Sequence, residues 1–579
     1  MTTTSSPHIN LVLCWHMHQP WYRESQDGDY CLPWVYLHAL KDYVDMAAHL
    51  EAHPKMRCVV NFTPVLLEQL DDYGQQFKRH LKTASRFSDP LLNLLAGVEP
   101  IPSDATERVE IVRACRRAHA PLMIDVYPRF RGLFDMVMSF DGKRVDEDRL
   151  SYMNEQFFLD LLAWYHIAWL GHSLKQLPRV KALLEHETVF DPATRRELLQ
   201  IMWEAFDGLF ERYRKLAQSG QIELSMTPYG HPIVPLLIDL DSMHGALPEA
   251  QGPIEDKYPG GLERARWHMR EGLRVFEHYL GCRPQGVWLS EGGVSSDALK
   301  LLDEFGMAWS ASGEGVWHNS RFLSGLEANG EQARRSLFCA HEVQGCETRM
   351  FFRDDGLSDM IGFEYQQWNA GDAAADFGQH LRNIANYLGD RCNEHVVSVI
   401  LDGENAWEYY RDNAFHFIGA LYETLANSAH IHPITFTEAL DYCPPQKLPA
   451  LCPGSWVYGS FSTWIGEEDK NRAWDMLVEA KKVYDRVMGS RRITAKDRID
   501  LERQLAICEG SDWFWWFGNY NPGATVAQFD QLYRMHLANL YLLLNVEAPA
   551  YLSDVISRGG GNPSHGGVMR HHNQSGDAQ

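Results

Sequence analysis

Seven short apolar runs, several of them ending in a cluster of acids, histidines or tryptophans, constrain this chain more than any other feature. They are Ile9–Trp15, Arg57–Thr63, Gln221–Met226, Gln285–Leu289, Met307–Ser310, Arg349–Phe352 and Val396–Leu401. Runs of this length and composition suit strands buried on both faces, as in a parallel sheet covered by helices. Apolar residues at helical spacing fill several intervals, at Tyr36–Leu50, Gly261–Tyr279 and Asp376–Leu388. Strand, helix, strand is the order of parallel βα units. The expected class is α/β, an incomplete (β/α)7 TIM-like barrel, with a doubly wound sheet as the alternative.

From about residue 71 to 218 the strand signal stops. Leu150–Leu170 and Ala193–Ala217 read as helices, so this stretch is expected to be a mainly helical insertion in a catalytic barrel spanning 8–440. Pro444, Pro445, Pro449 and Pro453 read as a linker. Asn471–Arg486, Ala495–Cys508 and Thr525–Leu544 then predict a C-terminal helical domain over 441–558. Residues 559–579 are Gly, Ser, His and Asn with almost nothing apolar, and are expected to be disordered.

Composition removes several functions. Asp and Glu number 77 against 54 Lys and Arg, a formal charge of −23. A surface that acidic repels nucleic acid and anionic membranes. No apolar stretch is long enough to span a bilayer, and residues 1–7 lack the basic and apolar regions of a signal peptide, so a cytoplasmic location is expected. The 11 cysteines are scattered and none forms a CxxC, which is neither a disulfide framework nor a zinc ribbon. No phosphate-binding glycine loop and no HExxH helix is present. The 18 tryptophans suit a large core and also sugar platforms.

In a parallel barrel the C-terminal strand ends share one rim, where active sites sit. The first run leads into Trp15-His16-Met17-His18-Gln19-Pro20 and the third into Pro228-Tyr229-Gly230-His231-Pro232. The fourth ends in Trp288-Leu289-Ser290-Glu291-Gly292, another in Arg353-Asp354-Asp355, and the last in Leu401-Asp402-Gly403-Glu404-Asn405. A carboxylate after a strand is often only a helix cap, and an acid directly after a strongly apolar run is costly unless paired or used. His16 and His18, read as alternating across the strand, would reach one metal only at a bend, so hydrogen bonding to sugar hydroxyls is the expected role. Two carboxylates on separate strand ends beside tryptophans suggest glycoside chemistry, one as nucleophile and one as acid with a raised pKa. That chemistry needs no cofactor, and no residue is assigned to a metal.

Five segments, taken in order, resemble the motifs of glycoside hydrolase family 57. They are His16–Pro20, Gly220–Leu224 through His231-Pro232, Gly286–Gly292, Leu401–Glu408 and Glu509–Trp516, and the match runs from about residue 8 to 555. The resemblance implies a retaining α-glucan-active enzyme with Glu291 as nucleophile and Asp402 as acid/base. It implies substrate binding by His16, His18, Glu223, His231, Trp288, Asp354, Glu404, Trp407, Asp512 and Trp513, the last two presented by the helical domain. LDGENAWEYY, WLSEGG and the stretch from Gly454-Ser455-Trp456 to Thr463–Gly466 look most like the amylase and amylopullulanase branch. Glycogen, maltodextrin or starch is then the partner. A 4-α-glucanotransferase or branching enzyme on the same scaffold is the alternative, with a metal-dependent polysaccharide deacetylase as the rival from another class. Nothing in the sequence sets an oligomeric state.

Overall fold

The computed structural model describes residues 8–186, 189–327, 329–490 and 493–561. Its strands are β1 (Ile9–Met17), β2 (Cys58–Phe62), β3 (Ile222–Met226), β4 (Trp309–Ser312), β5 (His341–Val343), β6 (Arg349–Phe352), β7 (Val396–Asp402), β8 (Ile431–Pro433) and β9 (Gln446–Leu448). β3, β2, β1 and β7 lie side by side, all parallel, and β4 pairs parallel with β6. Single parallel bridges join these two groups. Met226 pairs with Val287 and Gly286 with Trp309, so the segment 285–289 stands between β3 and β4; Arg353 pairs with Ser398 to link β6 to β7. The result is a ring of seven parallel neighbours, formed by the seven apolar runs. Gly286 is demanded by this closure, since a Cβ there would come within 2.0 Å of the Trp309 ring.

Alternation along each strand sorts side chains between the barrel interior and the surrounding helices. On β1, Leu11, Leu13 and Trp15 pack outward, while Val12 and Cys14 join the interior cluster with Val59, Trp288, Trp309, Phe351 and Ile400. Register places Cys14, Val59, Glu223 and Ile400 in one interior layer and His16, Asn61, Ser225 and Asp402 in the next. The chemistry-bearing layer therefore sits directly on a mostly apolar one that also holds Glu223.

Between β2 and β3 the described residues are helical apart from one antiparallel bridge, Met138 to Val145. The helix expected over Leu150–Leu170 is two, Glu147–Ser151 and Glu155–Ala168, because Asn154 caps the second through its side chain. That over Ala193–Ala217 breaks at Gly208. The proline-rich stretch read as a linker carries β9, which pairs parallel with β5. Two prolines at 444 and 445 precede the strand rather than interrupt it, so the ladder loses no donor. Of the expected disordered tail, Gly560 and Gly561 donate to the Asn521 carbonyl at 3.1 and 3.0 Å; residues 562–579 lie outside the described residues. All 11 cysteines are free thiols. Among the described residues no helix is long and apolar enough to cross a membrane.

The C-terminal helices Glu468–Ser490, Ala495–Cys508 and Gly523–Leu543 share one continuous apolar core with the outer face of the barrel. One buried ion cluster fastens them. Glu509 Oε2 accepts from Arg264 Nη2 and His268 Nε2, both at 2.8 Å, and Oε1 accepts from Tyr258 at 2.5 Å. Burial raises the Glu509 pKa, but the Arg264 charge and the His268 hydrogen bond outweigh it and hold the group at about 2. Glu509→Gln keeps the shape and leaves the Arg264 charge without its partner. It should cost about 3–5 kcal/mol, read as a lowered denaturant midpoint. Because the folded pKa lies below the ordinary 4.5, the wild-type pair stabilises fully above about pH 4.5 and progressively less as pH falls toward 2. A variant that matched wild type in midpoint and in acid sensitivity would show that the cluster contributes nothing.

Candidate active site

His16 and His18 do share a site, and no bend is needed. Residues two apart on a strand lie on the same face, so the alternation expected for them was misassigned. The interior face that carries Val12 and Cys14 continues upward into both histidines. His16 sits opposite Asp402 on β7 and Asn61 on β2. Its Nδ1 donates to Asn61 Oδ1 at 2.6 Å, and Asn61 Nδ2 donates in turn to Ser225 Oγ at 2.9 Å. His231, in the loop after β3, stacks on His18 with ring centroids 3.7 Å apart and lies 5.4 Å from His16. Burial and then the neighbouring histidines lower both pKa values, that of His16 to about 3 and that of His231 well below the usual imidazole range. Both rings are therefore neutral at pH 7.

The C-terminal segment enters here. Ser511 N donates to the His231 carbonyl at 2.9 Å, Ser511 Oγ meets His231 Nδ1 at 2.7 Å, and Asp512 Oδ1 accepts from His18 Nε2 at 2.8 Å. Gly230 permits the approach, since a Cβ on it would come within 2.6 Å of the Ala506 carbonyl oxygen. His18 and Asp512 keep 11% and 14% of their side-chain surface open, so this pair faces the cleft.

Asp402 closes β7 at the same level. Its Oδ2 accepts from Asn405 Nδ2 at 3.0 Å, and Gly403 N donates to the His16 carbonyl at 2.7 Å. Burial raises the Asp402 pKa to about 6, against the smaller lowering effects of Asn405, His18 and Arg353. Glu291 follows the strand segment 285–289 and has a left-handed backbone, φ 59° and ψ 23°. A non-glycine residue held there costs about 1–3 kcal/mol, strain that concentrates at functional sites; His231, with φ 57°, is a second case in the same site. Trp456 holds Glu291 twice, donating from its backbone N to the Glu291 carbonyl at 3.1 Å and from Nε1 to Oε2 at 3.0 Å.

A model of glycosyl hydrolase family 57 matches residues 12–452. The chain belongs to glycosyl hydrolase family 57. It is thus an enzyme of the α-glucan-active kind, hydrolase or transglycosylase, built on a (β/α)7 barrel. Among solved structures it is similar to a family 57 branching enzyme from Thermococcus kodakaraensis (16% identity, 95% of this chain and 94% of that one, TM-score 0.57). It is also similar to a family 57 branching enzyme from Pyrococcus horikoshii (16%, 95% and 94%, 0.56). An α-amylase from Thermotoga maritima aligns over 93% of both chains at 13% identity and TM-score 0.56. At these identities the likeness is one of fold. No curated protein sequence matches.

His16, His18, His231, Asp402 and Asp512 lie together, Glu291 follows the neighbouring strand segment of the ring, and the other expected substrate-binding residues lie behind them. Glu223 lies one interior layer below Asn61 and His16, about 6.6 Å down the strand. Its oxygens are taken by Trp309 Nε1 at 2.6 Å and by Thr437. Asp354 is buried and caps the helix Asp355–Asp359, accepting from Leu357 N at 2.9 Å. Trp288, Trp407 and Trp513 are 0%, 1% and 1% exposed. None offers a face to a sugar here; the indole N–H groups of Trp407 and Trp513 donate to the Gly403 and Ile507 carbonyls. Glu404, 2% exposed, receives His18 N at 3.2 Å and Gln19 Nε2 at 3.3 Å and so holds the turn after β1. Burial, with Asp402 and Asp42 nearby, pushes its pKa well up. Trp456 and Asn405 were missed as individual residues, although the stretches containing them had been singled out.

His18, His231 and Asp512 each offer a metal-ligand atom, all within 4.8 Å of one another. A tetrahedral zinc ion needs imidazole lone pairs that converge, with nitrogens roughly 3.3 Å apart around bonds of about 2.0–2.1 Å. The stacked His18 and His231 rings are only 13° from parallel and direct their in-plane lone pairs side by side. As arranged, the three side chains do not fit a metal. Activity should survive prolonged EDTA treatment unchanged; a loss that added zinc restores would reinstate the metal reading.

Proposed function

We propose that this family 57 enzyme cleaves α-glucosidic bonds with retention, Glu291 acting as nucleophile and Asp402 as acid/base. The observation that carries the roles is the contrast between the two carboxyl groups. Asp402, buried at the end of β7, holds a proton up to about pH 6, as a general acid must. Glu291 instead receives an N–H from Trp456, a contact that favours carboxylate.

In the first step Glu291 forms a bond to the anomeric carbon, and the bond to the leaving oxygen breaks with its electron pair. That oxygen takes the Asp402 proton. In the second step water loses a proton to Asp402 and attacks carbon, and the ester oxygen leaves with its electrons as carboxylate. A second sugar hydroxyl in place of water gives transfer. Neutral His16 and His231 and the His18–Asp512 pair bind the hydroxyls of the sugar at the reacting centre. Glycogen or maltodextrin is the proposed substrate, in a reducing compartment that suits 11 free thiols. Chromatography of products from maltoheptaose, glycogen and pullulan separates hydrolysis from transfer and α-1,4 from α-1,6 cleavage.

Three outcomes test the roles together. Glu291→Gln should lose several orders of magnitude on every α-glucoside. Asp402→Asn should spare the first step for an α-glucosyl fluoride and be partly rescued by azide. Two inversions then give α-glucosyl azide, whereas Glu291→Ala with azide gives the β product by one. Reversed anomers, or substantial activity in Glu291→Gln, would overturn the assignment. In the wild type kcat/KM should fall about tenfold per pH unit above about 6, as Asp402 loses its proton, and Asp402→Asn should abolish that limb.

A further inference from the structure

The segment 454–456 is 165 residues from Glu291 in the chain, yet it is clamped onto the nucleophile loop. Val294 and Gly454 exchange both backbone hydrogen bonds, at 2.8 and 3.1 Å, and Trp456 N reaches the Glu291 carbonyl. The indole is itself held. Its ring lies 5.2 Å from Trp288 in an edge-on arrangement, and the Arg353 guanidinium stands 5.5 Å over its face. Arg353 is anchored beneath by Asp355 at 2.6 Å, Asp359 at 3.0 Å and the Ile400 carbonyl at 2.8 Å. Gly313 makes space, since a Cβ there would come within 2.6 Å of Trp456 Cα. Such bracing far exceeds what a surface tryptophan needs, and it aims one N–H at one carboxylate oxygen.

We propose that Trp456 is a positioning residue for the nucleophile, its indole N–H holding Oε2 of Glu291. The inference rests on Glu291 as nucleophile. A hydrogen bond to a carboxylate is stronger than one to the neutral ester formed after attack. The indole therefore favours the step in which the carboxylate is restored: water adds to carbon, its proton passes to Asp402, and the ester C–O bond breaks with both electrons staying on Glu291. Losing the N–H should slow this second step more than the first.

Trp456→Phe keeps an aromatic ring against Trp288 and Arg353 and removes the donor together with part of the indole. With α-glucosyl fluoride, whose good leaving group makes the second step limiting, kcat should fall about 10- to 100-fold, at or below the lower end of the range for losing a preorganised donor. KM should fall with it, leaving kcat/KM within a few fold, and quenched samples should show glycosyl-enzyme accumulating by intact mass. The acid limb of kcat/KM should move to higher pH, because Glu291 loses a group that favours its ionised form. If the Trp456→Phe variant does not fold, as judged by thermal melting, β-(3-benzothienyl)alanine in place of Trp456 gives the same shape with sulfur where the N–H was. An unmoved acid limb with no accumulation in a folded variant overturns the proposal and leaves Trp456 a packing residue. Peptide mapping after trapping with 5-fluoro-α-glucosyl fluoride tests the underlying reading separately. Label elsewhere than Glu291 overturns the nucleophile, whereas label on Glu291 with an unmoved limb overturns only the role of Trp456.

Discussion

Glu509 lies wholly inside the protein, with Arg264, His268 and Tyr258 around its carboxylate. A buried charge survives only when its partners replace the water it has lost, so the position of this residue relative to the helix Gly261–Leu280 is closely set. His268 extends the constraint: its Nδ1 receives Gly230 N at 3.2 Å, next to His231. Three residues beyond Glu509, Asp512 meets His18. The ion cluster thus registers three distant parts of the chain, the loop after β3, the helix after it and the C-terminal helices. The histidine stack exists because they meet there.

The site itself separates charge from neutrality by burial. His16 and His231 are kept neutral, and Asp402 and Glu404 hold protons more tightly than free carboxyl groups do. Arg353 keeps its charge through two aspartates below the rim. A protein with formal charge −23 therefore presents few full charges at the proposed reacting centre, which suits a neutral polyhydroxylated ligand that must be gripped by hydrogen bonds.

Much of this was legible in the sequence. All seven ring strands were apolar runs, because a strand covered on both faces has no choice of composition. Glu291, Asp402 and the histidines were singled out because strand ends in a parallel barrel share a rim, and Asp512 through the resemblance of Glu509–Trp516. What failed was depth. Sequence does not say how far along a strand a side chain sits relative to its neighbours, and so Glu223, two residues below the active layer, read as a ligand rather than as a partner of Trp309 and Thr437. Tryptophans gave the same trouble: Trp288, Trp407 and Trp513 adjoin the motifs and are buried, while Trp456, from a stretch noted only for its likeness, touches Glu291. β9 was lost behind two prolines that look like a break and serve as an entry.

The ring of strands is not equally strong around its circumference. From β3 through β2 and β1 to β7 it is a ladder several residues deep at every junction. The segment bearing Glu291 is joined to each neighbour by one bridge, as is β6 to β7. With β4 and β6 also laddered, this is mechanically a split collar, continuous at four junctions and pinned by one bridge at each of the other three. Asp402 stands on the deep ladder and Glu291 on a segment pinned at both sides, so each path round the ring between the two carboxyl groups crosses a pinned seam. The segment 454–456, laid across Val294 and Glu291 from outside the ring, is then a splint over the pinned seam.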